Sequence, residues 1–498
     1  MSLPIYPVRD IRAIERRFLP NAQPSLMARA GHAAALDALR LGAGRLGAAL
    51  VLCGPGNNGG DGFVLARELR RAKRETAVVF AGEPERLPAD AAHAYATFRA
   101  EGGVTVPDLP PPPEHGWAFV VDALFGIGLE RPIEGRYAAW IGALDTLPHG
   151  TPILAIDAPS GLEADTGRRL GACVRATHTV TFIALKPGLL TLDGPDQCGE
   201  ILLRDLGLNA GDAVPAQGHL IDRDGFASHL TPRPKNSHKG MYGDACVLGG
   251  AAGMTGAALL AARAALMLGA GRVYACLLDA AAPGVDLVQP ELMLRLAGHL
   301  PEHISACAAG PGLGSSEEAE RLLRTLVGQT LPLVLDADAL NLISRLPDLA
   351  TAVQTRTAAT VLTPHPAEAA RLLATDTAAV QADRIAAARE LARRHRAYIV
   401  LKGCGAIVAA PDGRWFINTS GHAGMASAGM GDVLSGLVLA LLAQSWPAEA
   451  ALIAAVHLHG VAAERLAAQS AGPLGLTAGE TIAAARATFN DWIAHAHA

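Results

Sequence analysis

Two glycine-rich stretches place polar groups where the chain turns from an apolar run into a helical pattern. The first, GPGNNGGDG (54–62), follows AALVLC and precedes FVLARELRRAK. Gly54, Gly56 and Gly59 satisfy the dinucleotide pattern G-x-G-x-x-G in the strand–turn–helix context it requires. Asn57, Asn58 and Asp61 are no part of that pattern, and no Gly-Lys-Ser/Thr follows, so this is not an ATPase phosphate loop. The second stretch, SAGMGDVLSG (427–436), opens the long apolar run VLSGLVLALLAQ. Gly429 and Gly431 let the backbone approach a phosphate, and a helix N-terminus supplies amides and the positive end of a dipole. Asp432 then falls in the first turn, where it can act as general base on an acceptor hydroxyl. The alternative for Asp432 is an N-cap.

Further polar residues end other strand candidates. Asp122 in VVDALFGIGLERPIEG (120–135) and Asp157 in AIDAPSGLEADTG (155–167) both end apolar runs and enter Gly- or Pro-rich turns. Ligands of open α/β sheets sit outside the carboxyl ends of strands, so both carboxylates are expected to face a crevice. Capping is the other reading of each. Asn58, Asp122 and Ser160 offer hard oxygens only, a set that suits an alkali ion or Mg²⁺ and not zinc. GIGLERP adds backbone amides at an expected helix start, a phosphate site. In the second half, Lys402 ends a strand in LKGCGA (401–406), as a ligand group or as an ordinary exposed lysine. His365 lies between prolines in LTPHPAEAARLL (362–373), and a His–Glu pair such as His365–Glu368 is more often cap and surface than ligand. GPGLG (310–314) is a further tight turn, LDADALN (335–341) ends a strand with two aspartates, and no His/Cys cluster has zinc spacing.

These residues need strands to present them. One or two helices are expected in the first 30 residues, ending in PSLMARAG. A βα rhythm follows, with strands at Ala48–Cys53, Thr76–Phe80, Ala118–Ala123, 153–157 and His178–Phe182. It restarts in the second half at 245–248, 273–278, Ala306–Ala309, 333–336, Thr360–Leu362 and 398–402. Such alternation predicts parallel sheets covered by helices on both faces. VPDLPPPPEHG (106–116) must be a loop. A boundary near residue 215 divides the 498 residues, too many for one core, into domains 1–215 and 216–498.

Net charge is −5 with no basic block, which argues against nucleic acid as a partner. The longest uncharged run, 245–262, contains four glycines and reads as strand–loop–helix, so no membrane partner is expected. Seven cysteines without a C-x-x-C pair, and no signal peptide, predict small core hydrophobes in a reducing cytoplasm.

GPGNNGGDGFVLARELR, DALFGIGLERPIEG and IDAPSGLEADTG together resemble the NAD(P)H-hydrate epimerase family, over roughly residues 10–210. The resemblance implies a Rossmann-like αβα domain. It implies substrate contacts from Asn57, Asn58, Gly59, Gly60 and Asp61, from Gly126, Ile127, Gly128, Leu129, Glu130, Arg131 and Pro132, and from Asp157. It also implies a potassium ion on Asn58, Asp122 and Ser160. Ala158 stands where the family often has Ile. SHKGMYGDACVLGG, GMTGAALLA, GPGLG, LDADALN, LTPHPAEA, LKGCGA and GMASAGMGDVLSG resemble the ADP-dependent NAD(P)H-hydrate dehydratase family, over roughly residues 225–490. That family has the ribokinase-like α/β fold. The resemblance implies hydrate contacts from Ala257, Gly312, His365 and Asp432, and nucleotide contacts from Lys402, Gly403, Cys404, Gly405, Ala406 and Gly431. One departure is GHAGMAS, where the family usually reads Asn-Pro-Gly-Met-Ala; His422 and Ala423 stand here instead.

The two resemblances imply a bifunctional repair enzyme acting on NADHX and NADPHX, with K⁺ in the first domain, and Mg²⁺ and ADP in the second. They also suggest a homo-oligomer. Asp157 is expected to stabilise an iminium and shuttle a proton, and Asp432 to deprotonate the C6 hydroxyl. The alternative is a ribokinase-like small-molecule kinase fused to a non-catalytic dinucleotide-binding module.

Overall fold

The computed structural model describes residues 2–470 and 472–496. Two compact units divide it, Leu3–Gln217 and the described residues from Gly218 onward together with Ser2.

The first unit is built on a parallel sheet of seven strands. In spatial order they are Thr105–Val106, Thr76–Phe80, Ala48–Cys53, Trp117–Ala123, Ile153–Ile156, His178–Phe182 and Glu200–Arg204. Alternate residues serve opposite faces, as the pleat dictates. Val51, Cys53, Val121 and Ile156 pack with Phe63, Leu65 and Leu69 of the helix Asn57–Arg71, whereas Leu50, Leu52, Val120 and Ala155 pack with Trp140, Ile141 and Leu144 of the helix Gly135–Leu144. Both faces are therefore covered, as the near-continuous apolar strands require. Truncating a core side chain such as Leu69 to alanine would cost about 3 kcal/mol. Chain order reverses between Ala48–Cys53 and Trp117–Ala123, whose carboxyl ends lead into GPGNN and LFGIG. That reversal is the crevice where such sheets bind ligands.

PSLMARAG opens a helix and does not close one. Ser25 Oγ accepts from Ala28 N, and Leu26–Leu41 runs on from that cap. The strand Glu200–Arg204 was absent from the sequence reading; its residues are only partly buried and its ends are charged.

The second unit has a largely parallel sheet in the order Gly218–Leu220, Trp415–Asn418, Ala406–Ala409, Tyr398–Leu401, Thr360–Leu362, Leu333–Leu335, Ala306–Ala309, Asp244–Gly249, Arg272–Leu277 and Met293–Leu296. Only the pairings of Ala406–Ala409 are antiparallel. Met430–Ala443, an almost wholly buried helix, packs on Thr255–Met267. One described helix, Ala448–Gln469, is long and apolar enough to cross a membrane; two-thirds of it is buried in this core against Ala478–His495.

Candidate active sites

In the first unit, close backbone packing sets the loop before any ligand is considered. A Cβ on Gly59 would lie 2.0 Å from Gly54 O, and one on Gly60 would strike Met27 and Ala91. These glycines let the Asn57–Arg71 helix start tight against the sheet. They do not line the cavity that opens at the strand ends.

That cavity has a volume of about 320 Å³ and is lined by Asn57, Asn58, Asp61, Gly126, Ile127, Gly128, Leu129 and Asp157, among others. Glu130, Arg131 and Pro132 are not among its walls. Gly126–Pro132 is a loop with a turn closed by Leu129 N to Gly126 O (3.2 Å), and the next helix starts at Gly135, so the expected helix start is absent. Pro132 and Ile133 instead pack against Gly171.

Asp122 and Ser160 are both sealed from solvent and do not line the cavity, against the expectation that Asp122 faces it. Ser160 closes over the carboxylate: Ser160 Oγ donates to Asp122 Oδ1 at 2.6 Å and Ser160 N to Oδ2 at 2.8 Å. Burial pushes the Asp122 carboxyl up to about 6, with the Ser160 and Leu124 hydrogen bonds working the other way. Phe125 N donates to Ser160 Oγ at 2.8 Å, which ties the loop to this pair. Asn58 is buried beside the same loop. A Cβ at Gly126 would lie 2.8 Å from Asn58 Oδ1 and 3.4 Å from Asp157 Oδ2. Asn58 Nδ2 has no hydrogen-bond partner.

Asp157 is not a cap. Its φ is +66°, its N–H donates to Val180 O at 2.7 Å, and its Oδ1 accepts from Lys186 Nζ at 2.7 Å. Asp61 faces it in the cavity. Its carboxyl is held well above the usual range by burial first, then by Asp157, Glu15 and Asp90. Sequence reasoning missed Arg12 and Glu15 of the Val8–Phe18 helix, Asp90, and Lys186, all of which line the cavity. The only signal for Lys186 was its place at a strand end in TFIALKPGL.

In the second unit, Asp432, Gly431 and Lys402 come together. Gly429, at φ +86°, turns the chain into Met430–Ala443, and Asp432 sits in that helix's first turn. A Cβ on Gly431 would lie 3.2 Å from Lys402 Nζ and 3.8 Å from Asp336 Oδ2. Lys402 is no ordinary surface lysine. Its Nζ donates to Asp336 Oδ1 at 2.8 Å and lies 3.9 Å from Glu368 Oε2. Burial works against its charge, but Asp336, Glu368 and Asp432 outweigh burial and hold the ammonium above its ordinary range. Asp432 is pushed up to about 6 by burial, then by Asp336 and Asp338, with Lys402 opposing.

His365 and Glu368 form a capping box. His365 Nδ1 accepts from Ala367 N at 3.1 Å, and Glu368 Oε2 accepts from His365 N at 2.8 Å. His365 caps the helix Pro366–Leu373 with its side chain 47% exposed, while Glu368 is buried. Burial lowers the imidazole's pKa. The loop Lys402–Ala406 rests on Arg384, a residue the sequence did not single out: its guanidinium donates to Leu401 O and Lys402 O and would meet a Cβ on Gly403 at 3.0 Å. Cys404 is exposed at the tip. Gly312 lies under Met254 O, and Ala257 in the first turn of Thr255–Met267 is half-buried. His422 holds its loop, with Nδ1 accepting from Gly424 N and Nε2 donating to Ala463 O, both at 2.9 Å. Among the described residues, no group of three or more His, Cys, Asp or Glu is arranged to hold a metal ion.

Comparison with known proteins gives concordant matches over both units. A family model described as YjeF-related protein N-terminus matches residues 23–188, and one described as NAD(P)H-hydrate dehydratase matches residues 245–483. A bifunctional NAD(P)H-hydrate repair enzyme from Coxiella burnetii is 38% identical over 484 residues, covering 95% of this chain and 97% of that one. The protein of that name from Escherichia coli K12 is 39% identical over 430 residues, covering 84% and 81%. Among solved structures, an ADP/ATP-dependent NAD(P)H-hydrate dehydratase from Bacillus subtilis, co-crystallized with ATP/Mg²⁺, is 29% identical. It covers 55% of this chain and 98% of that chain, with a TM-score of 0.48.

Proposed function

This chain belongs to the family of bifunctional NAD(P)H-hydrate repair enzymes, and on that premise we propose how its two units share the work. The enzyme interconverts the R and S hydrates of NAD(P)H and dehydrates the S form with ADP. The alternative of a kinase fused to a silent binding module is not favoured. We assign epimerisation to Leu3–Gln217 and dehydration to the ribokinase-like unit from Gly218 onward. One observation supports the assignment: the family model described as NAD(P)H-hydrate dehydratase matches residues 245–483, which leaves the first unit for the other activity. Each site stands at strand carboxyl ends and combines an Asp–Lys ion pair with a second aspartate whose carboxyl is held above its usual range.

In the first site the hydrate's ring nitrogen expels the C6 hydroxyl. The C6–O bond breaks, a proton joins the departing oxygen to give water, and the N1 lone pair forms the iminium. Asp61 carries that proton and recovers it when water returns to the other face. Asp157, paired with Lys186, supplies the counter-charge to the iminium. The amides of Gly126–Leu129 suit the phosphates. Asn58, Asp122 and Ser160 fit a monovalent cation, since all three offer hard oxygens and only one is charged. When bound, K⁺ would offset the buried Asp122 charge.

In the second site ADP, arriving as its Mg²⁺ complex, is a substrate held by Lys402–Ala406 and Gly431, with Ala257, Gly312 and His365 against the hydrate. Asp432 takes the C6 hydroxyl proton as the oxygen attacks the β-phosphate and AMP leaves. Phosphate then departs, pushed by N1, and C5 loses a proton. The products are NAD(P)H, AMP and phosphate. Among the described residues no cysteine is disulfide-bonded, which suits a reducing cytoplasm. Exposed Val285, Leu287 and Val288, close in sequence to the edge strand Met293–Leu296, support self-association.

The test is absorbance at 340 nm with a mixed R/S hydrate, Mg²⁺, K⁺ and ADP. Complete recovery of the dihydropyridine band, with equal AMP and phosphate, is expected. Recovery that stops at the S fraction would remove epimerisation from the first unit.

A further inference from the structure

We propose that Lys186 is a positioning residue for epimerisation, clamping Asp157 as a carboxylate with its free oxygen turned to the cavity. The proposal rests on the reading of Asp157 as the iminium's counter-charge.

Lys186 is fully buried, and an ammonium has three protons to place. All three have partners: Asp157 Oδ1 at 2.7 Å, Thr181 Oγ1 at 2.8 Å and Phe182 O at 2.7 Å. No proton is left for a substrate, so Lys186 acts through Asp157. Thr181 and Phe182 end the adjacent strand, and the chain between them and Lys186 is pinned by Ile183 N to Arg204 O and Ala184 N to Phe182 O, each 2.8 Å. The lysine therefore approaches Asp157 from a fixed support.

Asp157 is held at both ends. Its backbone, in the left-handed region, is tied to Val180, and its Oδ1 is tied to Lys186. Oδ2 is left near the Gly126 loop, beside Asn58. The charges around this carboxylate make the cation necessary. Glu15 and Arg12 face the cavity from the Val8–Phe18 helix, Asp61 from Asn57–Arg71, and Asp90 from Ala89–Ala100. Without Lys186, four carboxyl groups would share the cavity with one exposed arginine, and Asp157 Oδ1 would lose the partner that fixes it. A carboxylate free to turn away cannot hold its charge against the iminium. The loss of rate should therefore fall on kcat and leave KM little changed. A lysine with only a packing role would lower stability without that split, and arginine would not restore kcat.

The experiment uses the full chain with Lys186→Met, Lys186→Arg and Asp157→Asn. Epimerisation is measured on the R hydrate at pH 8, thermal unfolding followed by circular dichroism reports the folding of both units in the same samples, and dehydration of the pure S hydrate is the control for the second unit. Lys186→Met is expected to lower epimerase kcat about 100-fold, with KM within about threefold and dehydration unchanged. Lys186→Arg, which keeps the cation, should recover part of kcat. A kcat of folded Lys186→Met within threefold of the parent, or a loss carried by KM, overturns the proposal. If Lys186→Met unfolds the first unit, the decision passes to Lys186→Arg: a folded variant that recovers part of kcat with KM unchanged supports the proposal, and one that recovers none of kcat, or whose loss is carried by KM, overturns it. Full activity of Asp157→Asn would instead sink the counter-charge reading, whatever the lysine variants do.

Discussion

Lys402 Nζ donates to Asp336 Oδ1 at 2.8 Å, while Ser435 Oγ, from the helix that begins beside Asp432, donates to Asp336 Oδ2 at 2.8 Å. The strand-end aspartate thus joins the Lys402–Ala406 loop to the helix Met430–Ala443, and Ala337 N completes its shell at 2.9 Å. Removing the cation would leave a nearly inaccessible carboxylate without its charge partner. Lys402→Met is expected to cost about 3 kcal/mol, at the lower end for a buried pair because the ammonium is 21% exposed. Thermal unfolding at pH 7.5 measures that cost. An ADP titration of the surviving folded protein checks the nucleotide role, which unchanged affinity would refute.

Asp432 couples rate and stability with opposite signs. Its carboxyl is pushed up to about 6 in the fold, against about 4 in an unfolded chain. The folded state therefore binds the proton more readily, and stability falls as pH rises through that window. Above pH 6 the full cost is present, so Asp432→Asn should stabilise the protein at pH 8 by about 1–2 kcal/mol, and by less at pH 5. The same substitution should lower dehydration by at least about 10²-fold. In the parent enzyme, dehydratase kcat should fall as pH drops below 6, because the base must be ionised. A melting temperature of the Asn variant that is unchanged at pH 8 would contradict the burial argument.

The sequence was most legible where one element carries the signal. Apolar runs rich in Val and Leu marked Ala48–Cys53 and Thr360–Leu362 because strands buried on both faces need continuous apolar residues. The hairpin Ala406–Ala409 and Trp415–Asn418 escaped notice although PDG between apolar runs is a turn signal. Asp157 and Asp432 were visible as carboxylates at strand or helix ends. Lys186, Asp336 and Arg384 were not given roles, because each gains its meaning from partners 18 to 99 residues away in the chain. Arg12 and Glu15 were hidden in a helix, VRDIRAIERRF, whose charges occupy most turns.

His422 is one of the two departures from the family pattern in GHAGMAS, and its ring does two jobs. Nδ1 caps the turn at Gly424, and Nε2 reaches Ala463 O in the helix Ala448–Gln469. The neighbouring Gly421 N donates to Glu464 Oε1 at 2.7 Å. This loop leads directly into Gly429 and Asp432. His422→Ala should lose about 1–2 kcal/mol and lower dehydratase kcat/KM several-fold. His422→Asn restores an acceptor for Gly424 N but not the reach to Ala463, so it should recover only part. Urea unfolding of both variants, beside S-hydrate kinetics, gives the comparison; equal losses would mean that the cap contributes nothing.

Gly126 offers the most selective probe of the first site. A methyl there would press to 2.8 Å from Asn58 Oδ1 and 3.4 Å from Asp157 Oδ2, with no buried charge removed and no helix interrupted. The Asn58 amide must move, and with it one member of the proposed cation set; Asp157 is only crowded. Gly126→Ala is therefore expected to cut epimerisation at least about tenfold, since displacements of an ångström at a reacting centre cost about that or more. Raising K⁺ should recover part of the loss if the displaced amide weakens cation binding. Dehydration of the pure S hydrate should not change. A parallel loss of both activities would point to general destabilisation, and full retention of epimerisation would place the reacting ring elsewhere in the cavity.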